Sequence, residues 1–459
     1  MRRTLSLVIP MIALAAPAGA RDVKLEDAVQ AAIEHSPDLR MGAADREKAR
    51  AEKMSALGAM GPRLSTDGGF QYWDQATSVQ FLDASTLPSE AELKQTLSTL
   101  PQPMQDIFLP LVENMRNPLR VQDRLTWSVN LQVAQPLTPL YSLYGLWKAN
   151  RAAEQAAAAM QDGTRETVRY RTSEAFFRIL SAQRMTEVAR TAVAQVEAHL
   201  KTARAFLDAG VVGRDDVLRA EAALERARDG QNQGEAGVML ARAALNVQMG
   251  LPPMEPTQPV GDYTSDPPDP GLTLEQCVEK AIRNRAEVRA TSKRAEMASA
   301  GKHAAIGTML PTLAAVFRYS HLEGSKFQRE DSWFVGGTFT WTFWEWGANW
   351  YKVRSAGADV SKAQDGLRLA HDGVVLDVTK SWLDVRTARS SIQAAAKAIV
   401  ASEEALRVVT RKYEASTATS VEVLDAQSAL TQAKAAHEVA VFNYWIARAN
   451  LRRAVGVEP

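Results

Sequence analysis

Between Ala358 and Gly456 the apolar residues keep a spacing that suits only a long supercoiled helix and its return partner. Val378, Val385, Ile392, Ile399, Leu406 and Tyr413 recur every seven positions. A strict seven-residue repeat keeps one stripe against a partner helix only if the helices wind left-handedly. After the segment KYEASTATSVEVLD, 412–425, a second helical pattern returns through Val423, Leu424, Ala426, Leu430 and Ala433 toward Leu451. The 56 residues from Ala358 to Tyr413 would span roughly 84 Å as helix. That exceeds a compact globular domain, so the stretch reads as an antiparallel hairpin with its turn at about 413–425.

The hairpin is not alone, because the chain is internally duplicated. VKLEDAVQAAIEHSPDLR from Val23 aligns without gaps with LTLEQCVEKAIRNRAEVR from Leu272, at an offset of 249. The matches continue through Gly58/Gly307, Pro62/Pro311 and Leu64/Leu313. Further on the offset is 206, with Trp127/Trp333, Val217/Val423, Leu224/Leu430, Leu245/Leu451 and Gly250/Gly456 in register. The first copy, 21–250, therefore carries about 43 extra residues between Leu64 and Trp127. A connector, 251–271, holds seven prolines, and the second copy covers 272–459.

Each copy reads as helix, strand, strand, long helix, returning helix, with Pro37 breaking or kinking the first helix. In LTWSVNLQV, Leu125, Trp127, Val129, Leu131 and Val133 alternate with polar residues. In WFVGGTFTWTFW, Trp333, Val335, Phe339, Trp341 and Phe343 share a face. The strands are expected at about 63–73, 124–136, 312–323 and 332–346. Their length, alternation and aromatic load suit an outer-membrane barrel; alternation alone also suits a small sheet lying on helices. Four strands cannot close on themselves, and lipid does not tolerate open edges. Three copies would supply twelve strands, although edge closure by itself does not fix the number three. The insertion, about 74–123, reads as two short helices, the first opened by a capping box at Ser89. It suits either a tolerated extracellular loop or a lid.

Arg2-Arg3, the apolar run from Leu5 to Ala16 and Ala18-Gly19-Ala20 have the three parts of a secretory signal. Cleavage is expected before Arg21, with no lipid anchor because no Cys follows. A core helix is the alternative, and Pro10 and Pro17 interrupt it. Past the signal there is no run of eighteen apolar residues. The single cysteine, Cys277, reads as a small buried hydrophobe. With 54 basic and 53 acidic side chains the chain has no charge bias toward nucleic acid. The six histidines, at 35, 199, 303, 321, 371 and 437, form no helical metal pair. No P-loop or HExxH occurs, so catalytic residues, metal sites and cofactors are all expected to be absent.

The duplicated LxLEdAVxxAI opening, the strand pairs, the long helices and the turns AGVVGRDDVLRAEAAL and STATSVEVLDAQSAL resemble the TolC family of outer membrane efflux proteins over nearly the whole mature chain. The resemblance implies a mixed α/β membrane protein. A trimeric twelve-stranded outer-membrane β-barrel, four strands per chain, would continue into a periplasmic α-helical coiled-coil barrel. It implies a homotrimer in outer membrane lipid, a periplasmic adaptor (membrane fusion) protein and an inner-membrane pump of RND or ABC type, for efflux or type I secretion. A periplasmic adaptor or a structural coiled-coil protein is the alternative class; one hairpin, rather than two, would fit it.

The turns carry the candidate site. Glu422 and Asp425 sit three apart on one helix face and match the family's paired acids at the periplasmic constriction. Six such carboxylates in a trimer would attract cations and repel anions. Acids at a helix N-terminus also simply complement the macrodipole. In the first turn Asp216 stands opposite Glu422 but Arg219 opposite Asp425. Tyr413 matches a tyrosine that helps hold the family's entrance closed, while Ala418 stands where the family has a basic partner. Gly210, Val211, Val212, Gly213, Thr417, Ala418 and Thr419 suit plain turns; in the family the same positions meet the adaptor.

Overall fold

The computed structural model describes residues 21–79, 89–116, 119–263 and 271–456. The signal segment, residues 80–88 and 117–118 of the insertion and Pro267, Pro268 and Pro270 of the connector lie outside the described residues. In chain order the elements are β1 (Arg21–Val23), α1 (Leu25–His35), α2 (Pro37–Gly58), β2 (Arg63–Tyr72), β3 (Thr77–Val79), α3 (Glu90–Leu97), α4 (Gln102–Arg116), β4 (Leu119–Pro136), α5 (Pro139–Asp208), α6 (Arg214–Gln248), β5 (Thr257–Pro259), α7 (Leu274–Asn284), α8 (Ala286–Gly307), β6 (Thr312–Ser325), β7 (Asp331–Thr340), α9 (Ala348–Glu414) and α10 (Ser420–Val455). Two compact units result. One draws on Met1–Arg50, Ala152–Glu296 and Ser361–Pro459, the other on Ala51–Arg151 and Met297–Val360.

The second unit is built on an antiparallel sheet of order β2-β4-β6-β7, with short β3 added beside β2 on the early part of β4. The register pairs Phe70 with Trp127, Leu131 with Tyr319 and Phe317 with Val335. Because side chains alternate along each strand, Leu64, Phe70, Trp127, Leu131, Phe317, Tyr319, Trp333, Val335 and Phe339 fall on one face. All of these are exposed, Phe70 at 81% and Val335 at 71%. The opposite face is polar: Asn130 donates to Asp67 at 2.7 Å, and Arg318 Nε donates to Gln132 at 3.2 Å. A water-soluble sheet would cover its apolar face with helices. This one leaves it bare and pairs its polar groups on the other side, which suits lipid outside and water inside.

β7 corrects one strand boundary. The ladder stops at Thr340, which pairs with Thr312, the residue that follows Pro311 and opens β6. Residues 341–344 therefore have no strand to pair with, and Trp341 and Phe343 lie beyond the sheet. The backbone then turns through positive φ at Trp346 and Gly347 into α9. Trp341, Phe343, Trp344, Trp346, Trp350 and Tyr351 are all exposed there, a concentration typical of a membrane interface. Helix packing in this unit is close: a Cβ on Gly145 of α5 would come within 2.7 Å of the Ala304 nitrogen of α8. In the insertion, the Ser89 hydroxyl accepts from the Glu92 amide and Glu92 accepts from the Ser89 amide, which caps α3. Met104, Ile107, Phe108 and Leu111 leave an exposed apolar face on α4.

In the first unit the seven-residue stripe is buried at Val378, Val385 and Ile392 of α9, packed with Ala440, Val441, Tyr444 and Leu451 of α10. The first hairpin buries Val196, Leu200 and Ala203 of α5 against Val217, Ala220 and Leu224 of α6. Three ion pairs cross that hairpin: Arg190–Glu235 at 3.2 Å, Arg204–Glu221 at 2.7 Å and Arg228–Glu197 at 2.9 Å. Cys277 is buried in the core between α7, α9 and α10. Arg285, between α7 and α8, donates to Glu287, Asp377 and the Ala454 carbonyl, tying the start of α8 to both long helices. β1 and β5 form a small parallel ladder that the sequence pattern does not announce.

Candidate functional site at the hairpin turns

The two long hairpins turn by the same backbone device. At the first turn Gly210 takes φ +73°, the Gly210 amide donates to the Leu207 carbonyl at 2.9 Å, and the Val211 amide donates to the Phe206 carbonyl at 2.8 Å. At the second, Ser416 takes φ +58°, its amide donates to the Tyr413 carbonyl at 2.9 Å, and the Thr417 amide donates to the Lys412 carbonyl at 2.8 Å. Both are left-handed helix C-caps that return the last carbonyls to use. The next helix then starts from Gly213, which offers no side-chain cap, or from Thr419, which does. Thr419 and Glu422 form a capping box, with the Thr419 amide donating to Glu422 Oε1 at 3.2 Å.

This arrangement places the sequence-derived residues unequally. Glu422 and Asp425 are both exposed, but Glu422 is engaged by Thr419 whereas Asp425 faces a groove between α6 and α10. That groove, about 840 Å³, is lined among others by Asp215, Leu218, Arg219, Leu424 and Asp425. Arg219 and Asp425, opposite each other in the duplication, thus border one space. Val211 and Thr417 are exposed at the turns, Val212 and Ala418 half-buried, and Gly210, Gly213 and Thr419 exposed.

Tyr413 lies inward, 3% exposed, stacked on Phe206 at 5.5 Å between ring centres and tilted against His199 at 5.2 Å. Its hydroxyl is buried, with the Ser420 hydroxyl as its polar neighbour. Burial pushes the Tyr413 phenol up, and the Asp216 carboxylate adds to this. His199, 6% exposed, bonds through Nε2 to the Ser420 hydroxyl at 2.8 Å. Burial holds its imidazole below the usual range, with Asp216 opposing. The Gln427 amide donates to the Gln195 carbonyl at 3.5 Å, a second link from α10 to α5.

The pattern-based reading missed His199 and Ser420. A signal existed: His199 interrupts the apolar α5 stripe Val196–Leu200–Ala203, and at the 206-residue offset its counterpart is Ala405, while that of Ser420 is Arg214. Among the described residues no group of His, Cys, Asp and Glu could hold a metal ion.

The sequence matches the family described as outer membrane efflux protein over residues 28–251 and 277–457, so both copies are covered. It is 24% identical over 344 residues to the outer membrane efflux protein BepC of Brucella suis biovar 1 (strain 1330), covering 72% of this chain and 73% of that one. It is 24% identical over 441 residues to the outer membrane protein TolC of Escherichia coli (strain K12), covering 92% and 80%. The fold is similar to that of the outer membrane protein VceC of Vibrio cholerae, with a TM-score of 0.77 at 15% identity over 94% of this chain and 96% of that one. The chain belongs to the outer membrane efflux protein family, and it is an outer-membrane channel of the TolC type with a large periplasmic part.

Proposed function

We propose that three copies of this chain form one passive duct, which receives cargo from an inner-membrane pump of RND or ABC type through a periplasmic adaptor protein and releases it outside the cell. The observation that carries this reading is the sheet. β2 with β3 forms one edge and β7 the other, and neither edge has a partner among the described residues. An apolar sheet with two open edges is not stable in lipid. Joining β7 of one copy to β2 of the next removes every edge, and three copies give a barrel of twelve main strands. The helices support the same assembly. Leu369, Leu376 and Leu383 stand exposed at seven-residue spacing on α9, as do Leu240 and Val247 on α6, stripes that a neighbouring copy would cover.

The hairpin turns are the entrance in this reading, with Glu422 and Asp425 as its carboxylates and 210–213 and 417–419 as the surface for the adaptor. The duct itself performs no chemistry. An amino-terminal signal peptide would export the chain. Reconstitution of the purified protein in planar bilayers tests the proposal: discrete ohmic steps of a water-filled pore are expected. Protein that inserts without conducting would refute it.

A further inference from the structure

The two hairpins are joined near their turns by a contact that one half of the duplication lacks. The His199 Nε2–Ser420 Oγ bond of 2.8 Å links α5 to α10 across 221 residues of sequence. Three cross-hairpin ion pairs brace α5 against α6. From α10 to α5 run this bond, the long one from Gln427 and, on other stretches of the two helices, the Arg453 guanidinium over the Tyr170 ring at 5.7 Å. His199, itself on α5, is met by groups from the other three helices of the two hairpins, and the Tyr413 ring beside it is stacked in turn on Phe206 of α5. From α6 comes Asp216, the carboxylate that acts on the imidazole. From α9 comes Tyr413, and from α10 Ser420.

A neutral imidazole suits this enclosure. One ring nitrogen is bonded to Ser420 and the ring lies tilted against that of Tyr413. An imidazolium would bring a full charge into a site that is almost closed to water, with one carboxylate to offset it.

We propose that His199 is a positioning residue of the entrance: as neutral imidazole it holds the α9–α10 turn against the α5–α6 hairpin, and on protonation it lets the two part. This rests on reading the turns as the entrance of the duct. The sign follows from linkage. Burial holds the packed imidazole below its ordinary value of about 6.5, so the packed state binds fewer protons than a parted state in which the ring is hydrated. The packed state keeps its full advantage above about pH 6.5 and loses it as pH falls further. Acidification of the periplasm therefore loosens the entrance.

The test uses the full-length protein in lipid, with spin labels on Val211→Cys and Thr417→Cys, one at each turn; Cys277 is buried and stays unlabelled. Pulsed dipolar distances and bilayer conductance are measured at pH 7.5 and 5.5. In the wild type the parted population is expected to rise by about tenfold on acidification, with a rise in conductance. His199→Gln, which can still bond Ser420 but cannot charge, should keep the pH 7.5 distances at both values. His199→Ala should show the parted distances at both. Unchanged wild-type distances, or a His199→Gln variant that follows the wild-type pH profile, would overturn the proposal. If His199→Ala fails to assemble, the comparison of wild type with His199→Gln decides. Distances that change while conductance stays constant would leave the latch standing and remove the entrance from the turns.

Discussion

Gly210 and Ser416 occupy one position in two copies of one turn, at φ +73° and +58°. The left-handed region costs a residue with a Cβ about 1–2 kcal/mol, and Ser416 makes no side-chain bond that offsets it among those found at the turn. Ser416→Gly should relieve that strain, less the entropy that glycine adds to the unfolded chain, for a net gain of about 0.5–1 kcal/mol. Hydrogen exchange of the amides at 415–418 should slow by about threefold. Faster exchange would show that Ser416 is not strained.

The acids at the second turn differ in what they already do. Glu422 completes a capping box, so Glu422→Ala removes about 1 kcal/mol of helix capping together with its charge. Glu422→Gln with Asp425→Asn separates the two effects, since both amides keep oxygen acceptors. If these carboxylates ring the entrance, the double variant should conduct more, and block by multivalent cations should weaken by about tenfold. Unchanged conductance and block would reduce Glu422 to its capping role.

Close helix packing in the sheet-bearing unit gives a stability prediction. Gly145→Val would drive a side chain into the backbone of α8 at Ala304. Backbone cannot rotate away, so α5 and α8 must separate at a cost of about 1–3 kcal/mol. The variant should lose its thermal transition several degrees below the wild type, whereas Gly58→Ala, where a Cβ would meet nothing within 4 Å, should cost less. Equal midpoints would contradict the close approach.

Much of this architecture is legible in the sequence. Alternation at Leu125–Val133 and heptads at Val378, Val385 and Ile392 are local, repeated signals, and the duplication showed each one twice. What escaped was non-local or depended on pairing. β7 ends where β6 runs out of residues to pair with, a limit set at Pro311 and invisible within WFVGGTFTWTFW. The β1–β5 ladder is three residues long and joins the first residues of the first copy to the connector that follows it. His199 and Ser420 meet from different halves of the chain, and a lone histidine on an apolar stripe says only that a partner exists, not which. Tyr413 stands out in the sequence as a candidate, but its burial against Phe206 and His199 does not show there.

The central claim is that open sheet edges of three copies close one barrel, and edge cross-linking tests it most directly. A cysteine at Ser65 on β2, scanned against single cysteines from 332 to 340 on β7, would be oxidised in native membranes and run under denaturing conditions. The account predicts, for registers that bring the edges together, bands at two and three times the mass of the chain and none higher. Monomer at every register, or a ladder extending beyond three, would contradict it.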